Sequence, residues 1–293
     1  MRKPVKSPIQ HVVIIVKENH AFDNYFGRFP GADGDPNLAL ASDPPSSDHP
    51  HTHAAWLNRA NVAAKEQYAQ ANIPNYWRYA QQYTLCDKYF TEVAGPSTPN
   101  HLMLIAAASP IINNPHYRDP IHSQPPFNIP SLPAALEKAG LTWGNYGGYA
   151  QGYITALKAS KHNMTADKFA PAAAAGKLPT VSWVYGPTGL SEHPVESVKA
   201  GQKWTADQVD AIVKGGLWSN TVIFITWDDY GGWYDHVTPP LVEKWKDGTQ
   251  FRYGSRVGCL VLSPYANPST SHTPSTPTSA SSSSARRRSA CPR

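Results

Sequence analysis

His11-Val12-Val13-Ile14-Ile15-Val16-Lys17-Glu18-Asn19-His20, running on into Ala21-Phe22-Asp23-Asn24-Tyr25-Phe26-Gly27, is the stretch from which the fold of this chain can be read. An unbroken run of Val and Ile without polar alternation predicts a strand buried on both faces, the kind found inside a parallel sheet. The run ends on a carboxylate beside a carboxamide, and ligands of open α/β sheets bind beyond the carboxyl ends of the strands. Glu18 and Asn19 are hard oxygen donors of the type that hold a divalent cation. Taken alone, the pair could equally cap the turn that follows.

A second strand ends in the same way. Thr221-Val222-Ile223-Phe224-Ile225-Thr226-Trp227 leads straight into Asp228-Asp229-Tyr230-Gly231-Gly232. Adjacent carboxylates at the end of a buried strand repel each other and lose solvation, so they call for a cation or hydrogen-bond donors. Gly231-Gly232 allows a sharp turn or a close approach of the backbone. Two strands that bring Glu-Asn and Asp-Asp to one sheet edge predict a metal site more strongly than two solvated turns.

Between them lies Val93-Ala94-Gly95-Pro96-Ser97-Thr98-Pro99-Asn100-His101. Gly-Pro before a hydroxyl residue and Pro-Asn after it fit a turn feeding a helix, with Ser97 at or near the N-terminus, where unpaired N–H groups favour anions. Ser97 or Thr98 could be a plain N-cap. A hydroxyl activated by a metal or a base can also attack phosphorus or carbon.

The rest of the chain alternates between strand and helix. Residues 75–83 and 102–108 read as helices, as does 204–215, whose apolar spacing is helical. Residues 142–146, 180–184 and 257–262 read as strands. The pattern predicts an α/β fold with a mainly parallel central sheet flanked by helices. A chain of 293 residues can bury a large core. Its 28 Pro and 20 Gly imply long structured loops. Those around residues 28–55 and 109–130 are placed to wall a pocket.

Four segments occur in the order found in the bacterial phosphoesterase family, which this chain resembles over residues 8–273. They are Lys17-Glu18-Asn19-His20 with Phe22-Asp23-Asn24-Tyr25-Phe26-Gly27, Gly95 to His101, Ser182 to Pro194, and Thr226 to Val237. The family holds non-specific phospholipases C and related acid phosphatases and belongs to the alkaline-phosphatase-like superfamily. The resemblance implies hydrolysis of a phosphate ester or phospholipid through a phosphoserine on Ser97. It implies a divalent metal ion (Ca, Mg, Mn or Zn) held by Glu18, Asn19, Asp228 and Asp229. His193 matches a histidine facing the phosphate. The segment from His51 to Trp56 resembles one whose histidine also reaches the active site, with His53 the choice and His51 the reserve. His101 stands where many of the phospholipases carry Arg, and Ser191 where many carry Asp, and both lean toward the phosphatases. Of the 12 histidines, His116, His122 and His162 match nothing. The same scaffold serves sulfatases and phosphonate hydrolases, but Ser97-Thr98-Pro99 is not a sulfatase modification motif. A catalytically impaired phosphoester-binding protein is the other alternative.

From Ala266 to Arg293 the composition changes, with no Leu, Ile, Val, Phe, Met, Trp or Tyr. Such a segment cannot bury enough apolar surface to fold, so 266–293 is expected to be a disordered tail after a catalytic domain over 1–265. Its four arginines, with no acid, carry most of the formal +5 charge. Nucleic-acid binding by the folded part is therefore not expected. Relatives continue with an ordered helical segment, so a frame shift near residue 268 would explain the tail. No leader or membrane span is visible, which makes a cytoplasmic location the default. Cys86 and Cys259, in apolar surroundings, are expected to be buried thiols.

Overall fold

The computed structural model describes residues 7–115 and 124–270. His116 and His122 lie outside the described residues, as does the expected tail beyond Thr270. Among the described residues the main sheet has eight strands: β1 His11–Lys17, β2 Thr84–Cys86, β3 Trp143–Tyr146, β4 Asn163–Met164, β5 Val181–Tyr185, β6 Thr221–Trp227, β7 Cys259–Leu262 and β8 Ser269–Thr270. They lie in the order β8-β2-β7-β6-β1-β5-β3-β4. β1 is central and pairs in parallel with both β5 and β6. β3 and β4 extend the parallel set on one side. The expected mainly parallel α/β architecture is present.

β7 is the exception, because it runs antiparallel to β6 and β2. The residues that follow it therefore leave at the edge opposite the ends of β1 and β6. β8 pairs with β2, so the sheet reaches into the first residues of the segment expected to be a tail. Cys259 lies opposite Cys86 across the β7–β2 pair. Cys259 is the expected free thiol, pushed up to about 12 by burial. Cys86 differs from expectation, being disulfide-bonded.

The Val/Ile run explains why β1 is central. Val13 and Ile15 pack on one face among Phe22, Tyr25, Tyr76, Val209 and Ile212. Val16 packs on the other with Leu102, Ile105 and Trp183, and Val12 and Ile14 border the same cluster. Each fully buried aliphatic side chain contributes about 1.5–3 kcal/mol, so a strand fed from both faces belongs in the interior.

Five helices position the features that follow: α1 Phe22–Phe26, α2 His53–Leu57, α3 Pro74–Gln82, α4 Ser97–Ala106 and α5 Val198–Lys214. α4 begins at Ser97, five residues before the expected start, because Pro99 falls in the first turn, where a missing N–H costs nothing. α5 begins six residues earlier than expected. Ser197 accepts from the Ala200 N–H, and Asp43, far away in sequence, accepts from Val198 and Lys199. Among the described residues no helix is long and apolar enough to cross a membrane.

A buried guanidinium ties the loops together. Arg256 is fully enclosed over the Phe22 ring, with Nη2 3.1 Å from both Asp23 Oδ1 and Asp235 Oδ2. Its Nη1 donates to the Asp33 and Asp87 carbonyls at 2.7 and 2.8 Å. His236 Nδ1 lies 2.7 Å from Asp23 Oδ2. Burial alone would lower the His236 pKa, but the Asp23 hydrogen bond and charge raise it overall. Burial, opposed by Arg256 and aided by Asp23, pushes Asp235 up to about 6. In both cases the folded protein holds the proton more tightly than the unfolded chain. Stability from these groups is therefore whole below their unfolded pKa values and is lost as pH rises through the folded ones. Urea midpoints measured from pH 5.5 to 8.5 should fall with pH, and less steeply in His236→Gln. Equal slopes in the two proteins would contradict this reading.

Candidate active site

The pairing of β1 with β6 brings the two acidic dipeptides together. Lys17 and Trp227 are register partners, and the Asp228 N–H donates to the Lys17 carbonyl at 2.9 Å. Glu18-Asn19 and Asp228-Asp229 thus leave adjacent strands at the same level. Asp228 Oδ1 accepts two backbone N–H groups, from Asn19 and Asp229, both at 2.8 Å. Asp229 Oδ1 accepts from the Gly231 N–H at 2.6 Å. The turn is tight. Asn19 has φ 62, and a Cβ on Gly231, at φ 57, would lie 2.0 Å from the Asn19 carbonyl oxygen. A non-glycine residue held at positive φ at a strand end is the sort of strain that functional sites keep.

Ser97 is the first residue of α4, and its hydroxyl reaches the same point. Its Oγ lies 2.9 Å from Asp229 Oδ2 and 3.2 Å from Asn19 Oδ1. Asn100 fixes the turn before it. Its Oδ1 accepts from the Val93 N–H, and its Nδ2 donates to the carbonyls of Val93, Gly95 and Pro96. Thr98 points elsewhere, to the Tyr149 hydroxyl at 3.1 Å.

Two histidines flank Asn19. His51 Nε2 and His193 Nε2 each accept from Asn19 Nδ2 at 3.2 Å. Each donates its other ring N–H to a backbone carbonyl, His51 to His49 at 2.7 Å and His193 to Pro194 at 2.6 Å. Those carbonyls set the tautomer that presents Nε2 to the site. His53, the expected partner, is not there. Its Nδ1 lies 2.5 Å from the Ala94 carbonyl and its Nε2 2.8 Å from Thr249 Oγ1. The reason is local: Thr52 caps α2, so His53 is already helical, and its ring, in the wall of a cleft, is tied to Ala94 and Thr249 rather than to Asn19. His162 packs on Trp143.

The site is crowded with negative charge. Burial, with Asp228 and Asp229 adding, pushes the Glu18 carboxyl well up. Burial and the neighbouring Asp228 push Asp229 up to about 8. Burial works against the Asp228 charge too, but the His101 hydrogen bond and the Asn19 N–H outweigh it and hold Asp228 low. Burial lowers the His51 pKa, and the Asp229 charge more than restores it, leaving it raised. Three carboxylates in so small a volume cannot all ionise without a compensating cation. That deficit and the hard-oxygen donors fit a divalent metal ion. A trio of Glu18, His101 and Asp228 offers ligand atoms within 4.8 Å of one another. The similar group of Asp23, Asp235 and His236 already has its cation in Arg256.

Below the site lies a charge pair that sequence reasoning did not pick out. Lys17 and Glu192 are both fully buried, with Nζ 3.3 Å from Oε1. Glu192 also accepts from Tyr76 at 2.6 Å, Tyr25 at 2.7 Å and Trp227 Nε1 at 3.3 Å. Its backbone, at φ 74, donates to Glu196, and its carbonyl accepts from His20 Nε2. Burial pushes His20 down to about 4, so it serves this network as a neutral ring. Glu192 precedes His193, and the network holds the loop that delivers His193. Positive φ beside a matched motif was the only signal, and it is not visible in sequence.

The two long loops do wall a cleft, of about 840 Å³, lined among others by His51, Pro96, Ile111, Ile112, Asn113 and Trp245.

The Phosphoesterase family model matches residues 9–46 and 46–280. The chain belongs to that family. This places it among phosphoric ester hydrolases. It is 22% identical to Phospholipase C B of Mycobacterium tuberculosis, over 88% of this chain and 69% of that protein. It is 25% identical to a non-hemolytic phospholipase C of Burkholderia pseudomallei, over 80% of this chain but only 45% of that protein. Among solved structures, the PsFucS1 sulfatase from Pseudoalteromonas sp. superposes with a TM-score of 0.51 at 11% identity, over 89% of this chain and 64% of that one. At that identity the likeness is one of fold alone.

The close approach at Gly231 is testable against a glycine without one. Gly216, at φ 74, has open space around it, so Gly216→Ala should cost only the left-handed penalty of about 1–2 kcal/mol. Gly231→Ala should lower the melting temperature distinctly further, because the new methyl displaces Asn19. Equal shifts would refute the close approach.

Proposed function

We propose that this chain hydrolyses phosphate esters with Ser97 as the nucleophile, through a phosphoserine. The observation that carries the reading is the Ser97 hydroxyl, held at a helix start and hydrogen-bonded to Asp229 at the joint edge of β1 and β6. Glu18, Asn19, Asp228 and Asp229 would hold a divalent metal ion. When bound, such an ion neutralises the carboxylates and favours the ionised form of a neighbouring hydroxyl.

The chain's own residues then have distinct tasks. Asp229 takes the Ser97 proton as Oγ forms its bond to phosphorus and the ester oxygen leaves. His51 and His193, with Nε2 aimed across Asn19, are placed, once Nε2 takes up a proton to give the imidazolium, to bond the non-bridging oxygens or to give the leaving oxygen that proton. Water then cleaves the phosphoserine, returning the proton to Ser97. The cleft beside His51 would take the alcohol portion. The catalytic unit proposed here extends past residue 265, because β8 belongs to the sheet and the family match runs to residue 280.

Turnover of p-nitrophenyl phosphate and p-nitrophenyl phosphorylcholine tests the reading. Chelator should abolish it and a divalent ion restore it. Ser97→Ala should lower kcat at least about 1,000-fold. Turnover that survives this change would move the nucleophile to Thr98 or to water. Binding of either ester without turnover would favour the impaired binding protein. The preferred ester separates phosphatase from phospholipase.

The histidines give a second test. His51→Ala should cost about 100-fold or more in kcat/KM. His53→Ala should stay near the wild-type rate. The reverse order would return His53 to the site.

A further inference from the structure

His101 lies at the edge of the acidic cluster with no task in the chemistry above. Its ring is wholly buried, packed against Tyr149 at 5.0 Å and Tyr185 at 5.3 Å between centroids. Nδ1 has no hydrogen-bond partner among the described residues. All the polar bonding of the ring therefore falls on Nε2, which lies 3.1 Å from Asp228 Oδ2 and 3.5 Å from Glu18 Oε1. Asp228 Oδ1 is already taken by two backbone N–H groups, so the oxygen left for a ligand is the one facing His101. Two ligand atoms each about 2.0–2.2 Å from one ion and adjacent in its shell are about 3–3.5 Å apart. The spacings at His101 have that size.

We propose that His101 Nε2 is a nitrogen ligand to the same ion as Glu18 and Asp228, and that it makes the site select a borderline transition metal such as Zn²⁺ over Ca²⁺ or Mg²⁺. The proposal rests on the metal-dependent reading above and goes beyond it by naming the ion class. An all-oxygen site suits Ca²⁺ and Mg²⁺, whereas an imidazole suits Zn²⁺ and its transition-metal neighbours. To ligate, Nε2 must carry no proton, so the ring binds as the Nδ1–H form. Glu18 keeps 16% of its side chain exposed, so the trio can be reached from solvent.

Chelator-stripped full-length protein titrated calorimetrically with Zn²⁺ and with Ca²⁺ tests this without any activity readout. Wild type should bind Zn²⁺ more tightly than Ca²⁺. His101→Gln should weaken Zn²⁺ at least about 100-fold, the upper end of what even outer-shell partners cost, and leave Ca²⁺ nearly unchanged. Equal losses for both ions would overturn the proposal and make His101 a hydrogen-bond donor to Asp228. An unchanged Zn²⁺ affinity would overturn it as well. Binding of neither ion by wild type would overturn the metal reading itself, which keeps the two failures apart. Should His101→Gln not fold, X-ray absorption of Zn²⁺-loaded wild type decides: imidazole scattering is expected, and an all-oxygen shell overturns the proposal.

Discussion

The in-register parallel pairing of β1 with β6 is the constraint on which the rest of this molecule depends. A parallel ladder advances both strands in the same direction, so two strands in step end together. With Lys17 opposite Trp227, Glu18-Asn19 and Asp228-Asp229 must emerge side by side. A slip of one residue would turn Val13 and Ile15 from one core cluster into the other and break the acidic group apart. The same packing that stabilises the sheet therefore sets the geometry of the site.

Concentrating carboxylates at a buried edge is costly, and the structure offsets that cost in identifiable ways. Backbone N–H groups of Asn19, Asp229 and Gly231 point at carboxylate oxygens. His101 bonds Asp228, while Ser97 bonds Asp229. One layer down, Lys17 and Glu192 neutralise each other among Tyr25, Tyr76 and Trp227. A buried pair of this kind is weak ground for stability but holds a definite geometry when all its partners are met. Here that geometry includes the loop bearing His193. The Arg256 cluster does similar work for the outer loops. At the acidic edge, by contrast, no lysine or arginine among the described residues forms an ion pair with Glu18, Asp228 or Asp229, whose cationic neighbour is His101 if protonated.

Much of this was readable in the chain. The Val/Ile run identified a central strand because only a strand covered on both faces tolerates such a sequence. Asp228-Asp229 pointed to a ligand-bearing end because adjacent acids after a buried strand call for a cation or hydrogen-bond donors. Ser97 was placed near a helix start by its flanking Gly, Pro and Asn. Other features were not readable. His51 and His53 lie two residues apart in a segment with two matching histidines, and only the helix beginning at His53 decides which ring faces Asn19. Asp43 caps α5 from a distance of more than 150 residues. Glu192 looks like any surface glutamate until the aromatic cage around it is seen.

The sequence by itself therefore determined the fold class, the central strands, the acidic dipeptides and the hydroxyl that meets them. Each depends on periodicity or on chemistry confined to a few neighbouring residues. The tertiary structure alone decided which histidines reach the site, that β7 runs antiparallel, that Lys17 and Glu192 pair beneath it, and that His101 turns its one bonded nitrogen toward two carboxylates. Those outcomes depend on contacts between segments far apart in the chain, 32 residues for Asn19 with His51 and 127 for His101 with Asp228, for which no local pattern in the chain carries a signal.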